Sequence, residues 1–159
     1  GLFQRSGSGV IVESKGLVCQ KQQDQDIAVT HSQNIDGSFD LPAGALITDV
    51  AVICTDSLKT GASSGDKLTF ELDTAANMGG TNLIASTDIA ENNATVAVGA
   101  KAQVSAANVI VAGGSVLAFA AGAPLYSSSA RTVHYRLVVV QANLQAAGAV
   151  RVVISYTVI

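Results

Sequence analysis

Tryptophan is absent from this sequence, and proline and cysteine occur only twice each. Charge is scarce too. Asp, Glu, Lys and Arg make up 13% of the chain, where about 25% is usual for soluble proteins. A disordered chain or a long solvated helix depends on charge that is missing here. A net charge of −3 provides no basic footprint for nucleic acid. Two cysteines are too few for the disulfide framework of a small secreted scaffold. Cys19 and Cys54 lie in the apolar runs Leu17-Val18-Cys19 and Val52-Ile53-Cys54 and read as buried thiols, with a bridge between them left open. Without tryptophan, a sugar-binding surface lacks a strong stacking platform.

What is present is apolar: 48% of 159 residues, enough for one domain with a substantial core. A surface this poor in charge suits a chain that hides part of itself in an assembly. The apolar residues alternate. Leu68, Phe70 and Leu72 point one way, and Lys67, Thr69, Glu71 and Asp73 the other, as in a half-buried strand. Val133, Tyr135, Leu137 and Val139 share a face, as do Val150, Val152, Ile154, Tyr156 and Val158. The two final strands, joined through 142–148, read as a loose antiparallel hairpin. Further strands are expected near 9–19, 26–32, 36–40, 45–55, 82–90 and 94–98. Turns are expected at Asp36-Gly37 and Gly79-Gly80, and a polar loop over 57–66. The Ala-rich pieces 90–94 and 142–147 are the candidate helical turns. Residues 102–130 carry no charge, yet Gly113-Gly114 divides Val109-Ile110-Val111 from Val116-Leu117-Ala118-Phe119. That pattern predicts two short buried strands rather than a membrane span. Strands at this spacing predict an antiparallel β-sandwich or barrel. We assign 10–159 to a single β-sandwich domain. Residues 1–9 read as a flexible arm, with Leu2-Phe3 as a small anchor before Gln4, Arg5 and the Ser/Gly run.

Reactive constellations do not assemble. His31 and His134 lie in separate strands, with no evident nucleophile and orienting partner. Ser127-Ser128-Ser129 reads as loop. Gly61–Lys67 fails the phosphate-loop pattern and precedes a strand rather than a helix. Asp24, Asp26, Asp36 and Asp40 are too few in any one turn for a calcium loop. They read instead as a solvated acidic edge that deters edge-to-edge pairing. Asn93-Ala94-Thr95 matches a glycosylation sequon without secretory context. The expectation is a non-enzymatic protein with no cofactor, metal, nucleic-acid or membrane partner.

Three stretches carry a resemblance: Phe39-Asp40-Leu41-Pro42-Ala43-Gly44-Ala45-Leu46-Ile47-Thr48-Asp49-Val50, then Gly79-Gly80-Thr81-Asn82-Leu83-Ile84-Ala85-Ser86-Thr87-Asp88-Ile89-Ala90, and Gly148-Ala149-Val150-Arg151-Val152-Val153-Ile154-Ser155-Tyr156. Together they resemble small structural proteins of tailed bacteriophages, closest to the capsid decoration (cement) proteins of marine and cyanobacterial phages, over about residues 36–159. Similar sequences occur among head and tail accessory proteins. The resemblance implies a jelly-roll-like β-sandwich and a homo-oligomer, commonly a trimer. It further implies assembly in the host cytoplasm, and a seat on the major capsid protein at the outside of the virion, bracing the lattice. Leu2, Phe3, Gln4 and Arg5 are then the candidate subunit or capsid contact. A tail or fibre accessory protein that binds a host-surface glycan is the alternative.

Overall fold

The computed structural model describes residues 20–31, 33–106, 109–110 and 113–159. The described chain has no helix. Its strands are β1 (Gln20–Val29), β2 (Asn34–Leu41), β3 (Ala45–Asp56), β4 (Leu58–Lys59), β5 (Lys67–Asp73), β6 (Asn82–Glu91), β7 (Thr95–Val96), β8 (Lys101–Gln103), β9 (Arg131–Val140) and β10 (Gly148–Val158).

Pairing follows one rule. Each strand of the first half lies antiparallel to its mirror strand in the second: β1 with β10, β2 with β9, β3 with β8, β4 with β7 and β5 with β6. The chain is thus one long hairpin whose tip is the β5–β6 connection. Lateral pairing of β10 with β3 and of β9 with β5 doubles the hairpin over. The first and third pairs form one sheet, β1-β10-β3-β8, and the second and fifth form the other, β2-β9-β5-β6, while β4 and β7 make a small two-stranded sheet of their own. This is the topology of an eight-stranded jelly roll. The expected all-β antiparallel sandwich is the fold found.

Both sheets turn their apolar alternation inward, as one-sided antiparallel sheets do. Ile47, Val50, Val52, Val150, Val152 and Ile154 from the first sheet meet Phe39, Leu68, Phe70, Leu72, Val133, Tyr135 and Leu137 from the second in one core. Tyr135 stacks between Phe39 and Phe70, with ring centroids 5.5 and 6.3 Å away. Pro42 and Gly44 make the corner from β2 to β3. Gly44 has φ +81°, which a side chain resists, and its N–H donates to Ser127 O at 2.8 Å.

Several expectations are corrected. β9 and β10 are the strands expected, but they lie in opposite sheets and not in a hairpin. The segment 141–147 crosses the end of the sandwich and is pinned to β4, Lys59 N donating to Ala146 O at 2.9 Å. Alternation states only that a strand has one buried face, and two strands facing each other across a core alternate just as two neighbours do. Asp36-Gly37 lies inside β2, not in a turn. Neither 90–94 nor 142–147 is helical, because Asn92 and Asn93 take positive φ and the backbone of Gln145 and Ala146 is bonded to Lys59 of β4. Residues 115–120 form an extended strap along β6 and not a strand, although Leu117 and Ile110 are buried as expected. Gly113 does turn, with φ +94°. Thr69 and Asp73, read as outward, are buried. The strand expected at 9–19 and the arm 1–9 lie outside the described residues. No described helix is long and apolar enough to cross a membrane.

Candidate contact surfaces

The first surface is the margin where β1 and β2 lie as the edges of the two sheets. β1 begins Gln20-Lys21-Gln22-Gln23-Asp24-Gln25-Asp26, with no apolar residue to mark an inner face. Its inner positions are nonetheless used. Gln25 Nε2 donates to Ser38 O at 2.6 Å, and Gln23 Nε2 donates to Asp40 O at 2.8 Å. Two carbonyls of β2 that no strand pairs with are satisfied by carboxamides reaching across the sandwich. Gln25 Oε1 in turn accepts the Tyr135 hydroxyl at 2.5 Å. Burial pushes the Tyr135 phenol up to about 12, since the phenolate would lose its hydration there. Gly37 stands opposite Tyr135 in the register, and any side chain at that position would fall inside the ring. Hence a glycine sits in mid-strand, covered by an aromatic ring from the neighbouring strand. Sequence reasoning missed this site because glutamines at alternate positions look like solvent-facing residues. The available signal was Gly37 two residues from Phe39 in an otherwise regular strand.

The outer faces of the two sheets differ. On β2-β9-β5-β6 charge is organised across strands. Arg136 grips Asp36 with two bonds, Nε to Oδ1 at 2.7 Å and Nη2 to Oδ2 at 2.9 Å. That grip holds the Asp36 carboxyl below its ordinary range. Glu71 lies opposite Arg136 on the other side; burial raises its pKa, with Arg136 opposing. Lys67 meets Asp88 at 3.1 Å. On β1-β10-β3-β8 the centre is less polar. Ala51, Ile53 and Val153 floor a shallow hollow of about 220 Å³ rimmed by Gln22, Asp49, Lys101, Gln103 and Ser155. Asp49 accepts from Gln103 Nε2, Ser105 N and Ser105 Oγ, tying the chain after β8 back onto β3.

The acidic candidates do not gather. Asp26 pairs with Arg151 at 2.7 Å, Asp36 with Arg136, and Asp40 accepts from Thr132 Oγ1 at 2.6 Å. Among the described residues no group of three or more His, Cys, Asp or Glu is placed to hold a metal ion. His31 is exposed in the β1–β2 turn. His134 lies on the outer face of β9, in register between Ser38 and Asp73. Among the described residues no hydrogen bond joins these three; Asp73 Oδ1 accepts instead from Ala75 N and Gly80 N. The 61–67 loop is organised by Asp66, whose carboxylate is buried inside it. Asn93 takes positive φ, and its side-chain oxygen accepts from Gln145. Cys54 is a free, buried thiol whose pKa burial raises. Cys19 and the arm residues Leu2, Phe3, Gln4 and Arg5 lie outside the described residues.

No protein-family model and no curated protein sequence matches the chain. Among solved structures it is similar to the capsid of Ralstonia phage GP4, at 14% identity, over 94% of this chain and 91% of that one, with a TM-score of 0.41. It is also similar to infectious bursal disease virus, Gx strain, at 11% identity, over 99% of this chain and 37% of that one, with a TM-score of 0.39. A third is the infectious bursal disease virus VP2 subviral particle, at 10% identity and a TM-score of 0.38, over 94% of this chain and 35% of that one. The chain therefore spans little more than a third of the bursal disease virus chains it matches. These structural neighbours are viral capsid proteins, and overlaps this loose carry no functional argument.

Proposed function

We propose that this chain is a non-enzymatic structural component of a tailed-phage virion, a decoration or cement protein on the outer surface of the head. In this reading it is a homo-oligomer, a trimer in its working form, assembled in the host cytoplasm and bound to the major capsid protein. The observation that carries the proposal is how the polar side chains are spent. Gln23, Gln25, Asp49 and Asp66 bond the protein's own strands and loops, and Asp26 and Asp36 pair with neighbouring arginines. The result is a stiff shell in which chemistry serves shape. Jelly rolls host many activities, so the fold alone does not decide. The three stretches that resemble phage decoration proteins add to the reading. They fall on the β2–β3 corner, on β6 with the turn before it, and on β10, which together build the sandwich. Many weak contacts repeated over a lattice would supply affinity through effective concentration.

The test is co-sedimentation of the purified chain with capsids stripped of it, followed by electron cryomicroscopy of the pellet. Saturable binding with density at symmetry-related sites outside the shell is the expected result. Absence of capsid binding, with recovery on tails instead, would overturn the decoration role.

A further inference from the structure

The two sides of the sandwich are closed in different ways. On the β1–β2 side the carboxamides of Gln23 and Gln25 cross to the carbonyls of Asp40 and Ser38. On the other side the strap spans from β6 to β3. Ser115 N donates to Asp88 O and Ala120 N to Leu83 O, and Tyr126 then bridges to Leu46 of β3. Arg131 holds the strap as well, Nη1 donating to Pro124 O at 2.6 Å and Nη2 to Leu125 O at 2.9 Å. An extended segment with one face on a core and the other in water alternates apolar with polar. The strap does not. Leu117, Phe119, Ala123 and Leu125 pack on the core, while Val116 is 42% exposed and Tyr126 47%, with Ala118 and Pro124 exposed beside them. Extended chain that is apolar on both faces is chain covered on both faces. No charged residue occurs from 102 to 130, whereas the outer faces of both sheets carry ion pairs.

We propose that the outward row of the strap, Val116, Ala118, Pro124 and Tyr126, is the surface on which copies of this chain pack together, strap against strap. The inference rests on the homo-oligomer of the reading above and names its contact. Symmetry selects the occupant. Beside a rotation axis each residue meets its own equivalent in the neighbouring copies, so a charge there would face a like charge. A surface without charge is what that position requires. A different protein is steered and held in register by complementary charge, which the strap does not offer. The extent fits too. Within 113–130 eleven residues are exposed and six half-buried. A stable contact takes roughly 20–30 residues a side, so the strap supplies most of one such contact. Its bonds to β6, β3 and Arg131 fix its shape in the single copy, so little ordering is left to offset on association.

The experiment places a photo-crosslinking benzoylphenylalanine at Val116 in the full chain. Copies labelled with nitrogen-14 and nitrogen-15 are unfolded and refolded together, and the crosslinked peptides are identified by mass spectrometry. Crosslinks from position 116 into 113–130 that join the two isotopes are expected. Crosslinks confined to like-isotope pairs, or landing on the sheet faces, would overturn the proposal, as would a chain that light scattering finds monomeric. In parallel, Val116→Asp combined with Ala118→Asp sets like charges against each other at the contact. Association should weaken roughly a hundredfold. Val98→Asp, at a more exposed valine in the β7–β8 loop, should leave the oligomer intact. An oligomer indifferent to the strap charges, or one dissociated equally by Val98→Asp, would count against the strap contact. The crosslinker sits on exposed surface, so it reads the contact even where the charged variant fails to fold. Capsid co-sedimentation keeps the two readings apart. Capsid binding with crosslinks from position 116 into the capsid protein sinks only the strap contact, and strap-to-strap crosslinks without capsid binding sink only the decoration role.

Discussion

Two buried carboxylates flank β5, and they do different work. Asp66 stands just before the strand and Asp73 is its last residue; exposure is 1% and 0% respectively. Asp66 uses both oxygens. Oδ2 accepts from Ser63 N at 2.9 Å and Oδ1 from Ala142 N at 3.1 Å, joining the loop before β5 to the crossing between β9 and β10. Asp73 uses one. Its Oδ1 accepts from Ala75 N and Gly80 N at 2.8 and 3.1 Å, closing the tip of the master hairpin, while Oδ2 is buried with no hydrogen-bond partner among the described residues. One carboxylate holds segments 76 positions apart, and the other shapes a turn within seven. Distant ties carry the rolled-up topology, and local ties carry a loop.

The largest effect should follow from breaking the distant tie. Asp66→Asn replaces an accepting oxygen with an N–H that faces another N–H, leaving buried donors unmet at a cost of about 2 to 3 kcal/mol. For a chain of this size that lowers Tm by roughly 4–12 °C, measurable by thermal denaturation. An unshifted Tm would mean that the other bonds in this region, such as Gln145 Nε2 to Thr60 O at 2.9 Å, hold the crossing without Asp66.

Tyr135 and Gln25 form a second distant tie, 110 positions apart. The phenol is pushed up to about 12 in the folded state, from 10.0. Stability from the buried neutral phenol is therefore complete below pH 10 and is lost as pH rises through 12. A shift of this size corresponds to about 3 kcal/mol. Urea unfolding between pH 9 and pH 12 should show that loss in the native chain, and Tyr135→Phe should flatten it. The Cys54 thiol, also raised by burial, contributes in the same direction and stays in both proteins. Equal alkaline slopes would assign the whole loss elsewhere.

How much of this was legible beforehand follows from what alternation encodes. Leu68-x-Phe70-x-Leu72 and Val133-x-Tyr135-x-Leu137 gave strands and buried faces because a one-sided strand must repeat in two. The same pattern was silent on partners, which is why β9 and β10 read as a hairpin. Their separation depends on the Lys59–Ala146 backbone bonds and on Asp66, which no local pattern announces. Thr69 and Asp73 were misplaced for a related reason. The loop that folds back onto Asp73 and supplies its amide donors lies outside the strand's own repeat. The β1 face was hidden by composition, since Gln23 and Gln25 bury carboxamides where apolar side chains usually mark the inside.

A moderate effect is expected where those carboxamides are removed. Gln23→Ala and Gln25→Ala each leave a β2 carbonyl without its cross-sandwich donor. Water can reach this half-buried margin, so about 1 kcal/mol apiece is expected from urea midpoints. The Gln25 change should be the larger, because it also strands the Tyr135 hydroxyl. The reverse order would mean that Gln23, which also donates to Tyr156 Oη at 3.3 Å, is the main stitch.

The smallest expected effect is the sharpest test of the opening contrast. Asp73→Asn keeps Oδ1 for both loop amides and replaces only the oxygen that has no partner. It also removes a charge from a site with no exposed surface, and burying an unpaired charge is costly. The buried amide N–H group that this change introduces carries a cost that offsets the gain from losing the charge, so stability should stay within about 0.5 kcal/mol of the native chain or rise slightly. Asp66→Asn, an identical chemical change at the other end of the same strand, should be several-fold worse. Equal losses at the two positions would show that Oδ2 of Asp73 is bound, by water or an ion, in the folded protein. The strand would then be anchored as firmly at the hairpin tip as at the crossing.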